Sequence, residues 1–269
     1  MMNFAKKFNL YVILFAIVLF YVSPIAYIGL LSILPEKSIF GEFSFSVNLD
    51  VYGSLLFERG YYGFLLNSAL ISAFSVFLTL ALSVPAAYAG VRWKGRGGFT
   101  GFIVASRFIP QFTLIIPLYL AYRRLGLQDT YFGLTLVYTF LNIPLAFLLM
   151  RRSFEMFNVE VEEAALCDGS SRIDAYLRVV LPSVREGLLV VAAICFVMSW
   201  NELPFALILT DNRAVTATKS LLYLFYSSRG VVLEEIESVK FLSGAVVLQL
   251  LPIILFALIT QKLFSRLFS

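Results

Sequence analysis

Residues 63–91 read GFLLNSALISAFSVFLTLALSVPAAYAGV, without one charged side chain. An α-helix needs about 20 apolar residues to cross the hydrocarbon core of a bilayer, and this stretch is long enough. Five further runs have the same character, at residues 10–34, 99–122, 131–150, 187–209 and 241–264. The pattern predicts an all-α, polytopic membrane protein with six transmembrane helices. We expect residues 1–269 to form a single transmembrane domain.

The composition excludes an ordinary soluble domain. Hydrophobic residues make up 60% of the chain and charged residues 14%, with a mean hydropathy of +0.87, whereas soluble domains average roughly 45–50% apolar and 25% charged residues. The chain has no histidine, the commonest metal ligand and general base. Cys167 and Cys195 fall in a predicted loop and a predicted span, which argues against a disulfide or a thiolate metal site. We expect no metal site and no catalytic residue, and a membrane-embedded enzyme has little support.

Lysine and arginine residues predict the orientation of the spans. With the N-terminus inside, twelve of them flank the spans on the cytoplasmic side and eight on the opposite side. Such an excess is typical of cytoplasmic loops. We therefore expect a multi-pass protein with both termini in the cytoplasm, and a cytoplasmic location for the long loop at residues 151–186. The net charge of +4 is small and gives no indication of nucleic-acid binding.

Prolines inside the apolar runs predict bent helices. Proline removes one backbone hydrogen bond, and membrane helices tolerate this when neighbouring groups satisfy the freed carbonyl. The prolines concerned are Pro24, Pro85, Pro110, Pro117, Pro144, Pro204 and Pro252. Several kinks are therefore expected within the bilayer.

The loop at residues 151–186 has the pattern of folded structure. Residues 160–166 favour a helix with acidic side chains in its first turn, where the helix dipole stabilises them. Gly169 can adopt the left-handed conformation that a helix C-terminus needs. Ser170 or Ser171 can cap a second helix, with Asp174 placed for a capping box. The sequence thus predicts two short helices separated by one glycine.

The second of these helices is predicted to be amphipathic. Its apolar stripe consists of Ile173, Tyr176, Leu177 and Val180. The helix is expected to end at Leu181-Pro182, because proline disfavours the α conformation in the residue before it. An apolar stripe outside the bilayer must be covered by the chain's own helices, by lipid headgroups or by a partner protein.

Four motifs indicate a family. They are Glu163-Ala164-Ala165 followed by Gly169 and Leu181-Pro182, Asn67-Ser68, the run LGLQDT at 125–130, and Ser199-Trp200-Asn201-Glu202. From about residue 60 to the C-terminus the chain resembles the permeases of ABC importers, in particular the carbohydrate-uptake branch with the smaller maltose-transporter permease. It departs from that pattern at Asn158 and Glu186, where the family usually has proline, although asparagine is itself a good helix cap. We call residues 151–186 the EAA loop.

The resemblance implies a transmembrane permease subunit of an ATP-driven importer for a sugar or oligosaccharide. In such permeases the two helices of the EAA loop dock on a separate ATPase subunit. The residues that the resemblance assigns to this coupling are Glu163, Ala164, Ala165, Asp168, Gly169, Ile173, Tyr176, Leu177, Leu181 and Pro182. The chain lacks a phosphate-binding Gly-rich loop followed by Lys and Ser or Thr. ATP and Mg are therefore expected on the partner, with no cofactor bound by this chain.

The resemblance also implies the partners and the location. They are a dimer of ABC ATPase subunits, a second permease subunit in a heterodimer, an extracytoplasmic solute-binding protein and membrane lipid, without nucleic acid. The location is the plasma (inner) membrane of a prokaryote.

Polar residues within predicted spans are candidates for the solute pathway. These are Trp200, Asn201 and Glu202, deep in the fifth span, and Asn67 near the start of the second, for which a hydrogen bond to a neighbouring helix is favoured. A carboxylate at the depth of Glu202 is costly and usually faces a cavity or a partner group. Two interpretations stay open: contact with solute, or hydrogen bonds to a neighbouring helix with Trp200 as packing. For Arg107, a side chain that reaches back to the aqueous interface is favoured.

A secondary transporter driven by an ion gradient is the alternative. Such proteins often contain internal repeats and paired ionisable groups within the membrane. This sequence has no evident repeat, and only Glu202 and Arg107 lie deep in predicted spans. The energy source distinguishes the two classes, because a protonophore would abolish gradient-driven uptake while ATP would not matter to it.

Overall fold

The computed structural model describes residues 4–35, 46–93, 97–227 and 234–267, and within these ranges the regular structure is helical throughout. The helices are α1 (Phe4–Ile33), α2 (Asp50–Gly53), α3 (Tyr61–Arg92), α4 (Gly97–Ser106), α5 (Gln111–Leu125), α6 (Tyr131–Met156), α7 (Val159–Cys167), α8 (Arg172–Ala175), α9 (Leu181–Ser183), α10 (Arg185–Trp200), α11 (Pro204–Leu209), α12 (Ala217–Ser227) and α13 (Glu234–Leu267). The all-α, membrane-spanning fold class predicted from the sequence is confirmed. Among the described residues, four helices are long and apolar enough to cross a membrane, or up to six if each of two bent helix pairs counts as one span.

The chain divides into two compact units, residues 1–64 with 220–251 and residues 65–219 with 252–269. In the first unit, the Tyr61 hydroxyl donates to the Ala245 carbonyl at 3.5 Å. The guanidinium of Arg59 lies 3.8 Å from the centre of the Phe241 ring. Side chains along most of α1 are exposed, as expected for a helix whose neighbours are lipid.

The second unit contains two apolar cores, one at each end of α6. The first core joins α3, α6 and α10 with the EAA loop, and includes Phe147, Phe154 and Val180, all fully buried. The second joins α5, α6 and α11 around Tyr138 and Phe205. Close contact between α6 and α10 depends on Gly187, since a Cβ atom there would lie 2.5 Å from Ser153 Oγ.

Two of the predicted spans contain breaks. The third, at residues 99–122, consists of α4 and α5 at an angle of 91°. Pro110 caps α5 in an extended conformation, and it has no N–H to continue α4. In the fifth, at residues 187–209, α10 ends at Trp200 and α11 begins at Pro204. Both breaks lie beside prolines at which the sequence predicts a bend.

Candidate functional site

The first helix of the EAA loop is capped as the sequence predicts. The Asn158 side chain accepts a hydrogen bond from the Glu160 N–H at 3.0 Å. After α7, Gly169 has a φ of +89°, so the predicted left-handed conformation is confirmed. Ser171 then caps α8 by accepting from the Asp174 N–H at 3.1 Å. Local signals thus fix both helix starts and the turn between them.

The second helix runs further than the sequence predicts. It does not end at Leu181-Pro182 but passes through a π-helical turn at Tyr176–Val180 into α9, which ends at Ser183. In this turn the Leu181 N–H donates to the Tyr176 carbonyl. Pro182 lies in the first turn of α9, where its missing N–H costs little. The chain then bends by 73° into α10.

The predicted apolar stripe of this helix has two different environments. Val180 is fully buried and Tyr176 is half-buried against the chain's own helices. Ile173 and Leu177, by contrast, are 71% and 52% exposed. Met156 and Val161 add further exposed apolar surface on the same loop. Intramolecular contacts therefore cover only one part of the stripe.

The other residues assigned to coupling lie around this uncovered surface. Glu163, Ala164, Asp168, Gly169 and Pro182 are exposed. Ala165 and Leu181 are half-buried. Most of the residues assigned to coupling are therefore exposed on the EAA loop.

A buried ion pair fastens the first EAA helix to the end of α3. The Arg92 Nε atom donates to Glu162 Oε2 at 2.7 Å, with side-chain exposures of 13% and 8%. The Tyr88 hydroxyl donates to Glu162 Oε1. Glu162 was not identified from the sequence, because an acidic residue in the first turn of a helix is usually exposed to water, where the helix dipole stabilises its charge.

The same tyrosine contacts the second EAA helix. Its ring centre is 4.6 Å from that of Tyr176, in a tilted arrangement. An edge-to-face contact with Phe154 of α6 follows at 5.6 Å. Tyr88 therefore touches α6 and both helices of the EAA loop.

The residues predicted for the solute pathway separate into two groups. Trp200 is buried and stacks on Phe196 at 5.6 Å, while Asn201 is exposed and donates to the Val197 carbonyl. Glu202 caps α11, because its carboxylate accepts from the N–H groups of Phe205 at 2.9 Å and Ala206 at 3.2 Å. Asn67 lies elsewhere, with its amide nitrogen 2.9 Å from the Val215 carbonyl.

Glu202 also lines a small cavity of about 50 Å³. The other polar side chains of this cavity are Gln111, Tyr138, Asn142 and Ser199. Asn142 donates to Ser199 Oγ at 2.8 Å, so part of the lining is already hydrogen-bonded within the chain. A larger, mainly apolar cavity of about 430 Å³ adjoins the break between α4 and α5, with Arg107 and Gln111 in its lining. Gln111 belongs to both cavities.

Asp129 organises the loop that follows α11. Its carboxylate accepts from the backbone N–H groups of Asp211, Asn212, Arg213 and Ala214 at 2.9–3.1 Å. Burial alone raises the pKa of the Asp129 carboxyl, but these four donors outweigh it and hold the pKa below its usual value. The residue itself has a φ of +54°. We call residues 210–217 the clamped loop.

Asn67, Ser68 and Lys219 also bind the backbone of the clamped loop or of the end of α11, and Ser68 Oγ accepts from the Ala217 N–H at 2.8 Å. Asn67 donates to the carbonyls of Arg213 and Val215. Lys219 is buried, and its Nζ donates to the carbonyls of Leu207 and Thr210 at the C-terminus of α11. A cation at that position also complements the helix dipole.

Comparisons with known proteins agree with this architecture. The profile of the family described as "Binding-protein-dependent transport system inner membrane component" matches residues 79–269. A probable ABC transporter permease protein of Sinorhizobium fredii is 35% identical over 222 residues, which cover 82% of this chain and 78% of that protein. The trehalose transport system permease protein of Mycobacterium tuberculosis is 31% identical over 81% of this chain and 78% of its own length.

A third relative and a solved structure complete the comparison. The trehalose/maltose transport system permease protein of Thermococcus litoralis is 30% identical over 74% of this chain and 70% of its own length. The crystal structure of a bacterial ABC transporter involved in the import of the acidic polysaccharide alginate contains a similar chain. Its TM-score is 0.79 at 25% identity, over 97% of this chain and 98% of that chain.

Proposed function

The chain belongs to the family of binding-protein-dependent transport system inner membrane components, and we propose that it couples solute import to a separate ATPase through its EAA loop. It is a permease subunit of an ABC importer, built from membrane-spanning helices. In our proposal the EAA loop faces the cytoplasm, both termini lie on that side, and the membrane is the plasma membrane of a prokaryote.

The observation that carries the proposal is the exposed apolar surface of the EAA loop. Ile173 and Leu177 are 71% and 52% exposed on a helix whose opposite side is buried in the chain's own core. A large apolar side chain gains free energy when a partner covers it, at about 25 cal/mol per Å² of surface removed from water. The caps at Asn158 and Ser171 hold both helices in place before any partner arrives. Docking therefore needs little reordering of this loop.

In our proposal, the contact between the EAA loop and the ATPase is the route by which ATP drives transport. A nucleotide state can drive transport only through an interaction that differs between states. We propose that two ATPase subunits, with ATP and Mg bound to them, move the EAA loop and thereby α6 and α10, to which it is covalently joined. The helices of this subunit and of a second, different permease subunit then open a central path to each side in turn.

The proposed solute is a sugar or oligosaccharide delivered by an extracytoplasmic binding protein. Sequence similarity to the permeases of trehalose and trehalose/maltose transport systems supports this class of solute. Glu202, Gln111 and Asn142 supply hydrogen-bonding groups beside the break between α10 and α11. The cavity of about 50 Å³ is far smaller than a disaccharide. We therefore propose that it forms only one side of the solute path and that the second permease subunit forms the rest.

A purification experiment tests the partners. The chain carries an affinity tag in its native cells, is extracted in mild detergent, and its bound polypeptides are identified by mass spectrometry. We expect an ATPase subunit, a second permease subunit and, after addition of ATP and vanadate, a solute-binding protein. Recovery of this chain without any nucleotide hydrolase would overturn the proposal.

Uptake into liposomes tests the energy source and the solute class. The purified assembly and its binding protein are reconstituted and offered labelled trehalose, maltose and, for contrast, an amino acid. Sugar uptake that requires ATP and ignores a protonophore is expected. Uptake that a protonophore abolishes and ATP leaves unchanged would favour the ion-gradient alternative.

The exposed thiol of Cys167 tests the orientation. Cys167 is exposed at the end of α7, whereas Cys195 is buried. A maleimide that cannot cross membranes is expected to label Cys167 in inverted vesicles and in detergent, but not in intact cells. Labelling of intact cells would place the EAA loop outside.

A further inference from the structure

The EAA loop has a direct covalent connection to two spans only. Chain continuity joins it to α6 at one end and to α10 at the other. Movement of any further helix must therefore pass through side-chain contacts. The contacts between the EAA loop and α3, the second predicted span, therefore determine whether α3 moves with the loop.

Tyr88 lies one turn before the end of α3 and makes several of these contacts with one side chain. Its hydroxyl donates to Glu162 of the first EAA helix. Its ring lies 4.6 Å from the Tyr176 ring of the second EAA helix. The same ring meets Phe154 of α6 at 5.6 Å. A single residue of α3 therefore contacts α6 and both helices of the EAA loop.

Arg92 strengthens this connection one turn further along α3. Its Nε donates to Glu162 at 2.7 Å, and both side chains are nearly buried. Its Nη2 is buried without a hydrogen-bond partner within the described residues. Removal of one member of a buried ion pair is strongly destabilising, because the other charge stays buried and uncompensated. The geometry of Glu162 relative to α3 is therefore tightly restrained.

The packing below these polar contacts is dense. Val84 and Ala87 of α3 share one buried core with Phe154 and Val180. Buried cores resist continuous deformation, so this core supports the polar contacts at its edge. The cluster of Tyr88, Glu162 and Arg92 lies at the edge of this core.

We propose that Tyr88 is a positioning residue for transport, which ties both EAA helices to α3 so that this span moves with the docked ATPase. Glu162 and Arg92 are its partners in this role. The inference rests on the proposed coupling function and deepens it. It assigns α3 to the group of helices moved by nucleotide, together with α6 and α10.

A distance measurement between spin labels tests this role. One label occupies the native Cys167, and the other occupies a cysteine introduced as Leu82→Cys, at an exposed position of α3. Cys195 is fully buried and takes no label. Pulsed electron paramagnetic resonance compares the assembled complex without nucleotide and trapped with Mg-ATP and vanadate. With Tyr88 and Glu162 unchanged, we expect the two states to agree within about 2 Å, the scale of ordinary helix adjustments.

Two substitutions break the connection in different ways. Tyr88→Phe removes the hydroxyl and keeps the ring stacking, whereas Glu162→Gln removes the charge that pairs with Arg92. In each we expect the trapped state to differ from the nucleotide-free state by about 3 Å or more, with a broader distribution, because the EAA loop then moves without α3. Distances are measured only on complexes that retain the ATPase, so that loss of the ATPase is not mistaken for loss of the connection between the EAA loop and α3.

The control is Glu155→Gln, which removes ion pairs with Arg151 and Arg152 within α6 itself. We expect this variant to behave like the unsubstituted protein. If Tyr88→Phe and Glu162→Gln both keep distances equal in the two states, the role of Tyr88 is overturned while coupling stands. If the unsubstituted chain binds no ATPase, the proposed function fails, and the inference with it.

Discussion

Helix α6 has a loop near each of its ends, and the two loops are held in different ways. At its N-terminal end, Asp129 accepts from four backbone N–H groups of the clamped loop, and Asn67 donates to two of its carbonyls. At its C-terminal end, the EAA loop is held by side chains that contact other side chains, with Tyr88 and Glu162 at the centre. The clamped loop is held by hydrogen bonds to its backbone, and the EAA loop is held by contacts to the side chains of its helices.

The two sets of contacts restrain different things: the backbone path of the clamped loop, and the position of the EAA helices relative to α3. Backbone hydrogen bonds to Asp129 and Asn67 hold the path of the clamped loop, while the side chains of Asp211, Asn212 and Arg213 are exposed. Side-chain contacts hold the EAA helices as preformed units whose position relative to α3 depends on a few residues. The first arrangement suits a surface presented to a partner, and the second suits an element that transmits motion.

The largest effect is expected from Gly169→Val. A β-branched residue at a φ of +89° costs roughly 1–3 kcal/mol in backbone strain, and relief of that strain reorients α7 against α8. We expect ATPase subunits to be lost from the purified assembly and uptake to fall at least about 10-fold. Gly101→Val is the matched control, since a Cβ there meets nothing within 4 Å. Full uptake by Gly169→Val would mean that the EAA loop is not a preformed unit.

Asp129→Asn should loosen the clamped loop without affecting the EAA loop. Asparagine tolerates the positive φ of this position, so the change removes the charge and leaves the backbone unstrained. Because hydrogen bonds to charged groups contribute about 1.5–3 kcal/mol, amide hydrogen exchange at residues 211–214 should accelerate about 10-fold or more. Asn212→Ala, which changes an exposed side chain on the loop itself, serves as the control. Unchanged exchange in Asp129→Asn would remove the basis of the comparison.

The pH dependence of the clamped loop follows from the same carboxylate. A depressed pKa in the folded state stabilises the loop above the unfolded-state pKa of about 3.9, and this contribution disappears as the pH falls through the folded-state value. Amide exchange at 211–214, corrected for its intrinsic rate, should therefore stay level from pH 7 to about pH 4 and rise only below that. The acid-induced rise should be absent from Asp129→Asn, and a rise near neutral pH would refute the assignment.

Asn212→Ala should have the smallest effect. Asp129 binds the N–H of Asn212 and not its exposed side chain, so the loop keeps its path. We expect amide exchange at 211–214 to change less than about twofold, in contrast to Asp129→Asn. A large change would show that side chains of the clamped loop help to hold it.

Features encoded by neighbouring residues were predictable from the sequence. The cap at Asn158, the left-handed Gly169 and the cap at Ser171 depend on residues within a few positions of one another. Proline likewise marked the breaks at Pro110 and Pro204, although the angle of 91° between α4 and α5 depends on packing and was not predictable.

Contacts between distant residues were not predictable. Glu162 and Arg92 are 70 positions apart, and Asp129 and Asp211 are 82 apart. No periodicity or spacing within one sequence brings such pairs together. Glu202 illustrates the same limit. Its role as a cap of α11 depends on where α10 ends, and the continuous apolar run at 187–209 gives no indication of that end.

One face of α3 carries five small hydroxyl side chains that are all buried: Ser68, Ser72, Ser75, Thr79 and Ser83. Within the described residues, Ser72, Thr79 and Ser83 have no hydrogen-bond partner, while Ser68 accepts from the Ala217 N–H and Ser75 from Ser199. Small side chains let neighbouring helices approach closely, yet few directional bonds fix this face in register. A slight rotation or axial slip of α3 therefore breaks few bonds along most of its length, and the energetic barrier to such sliding is concentrated at its two ends.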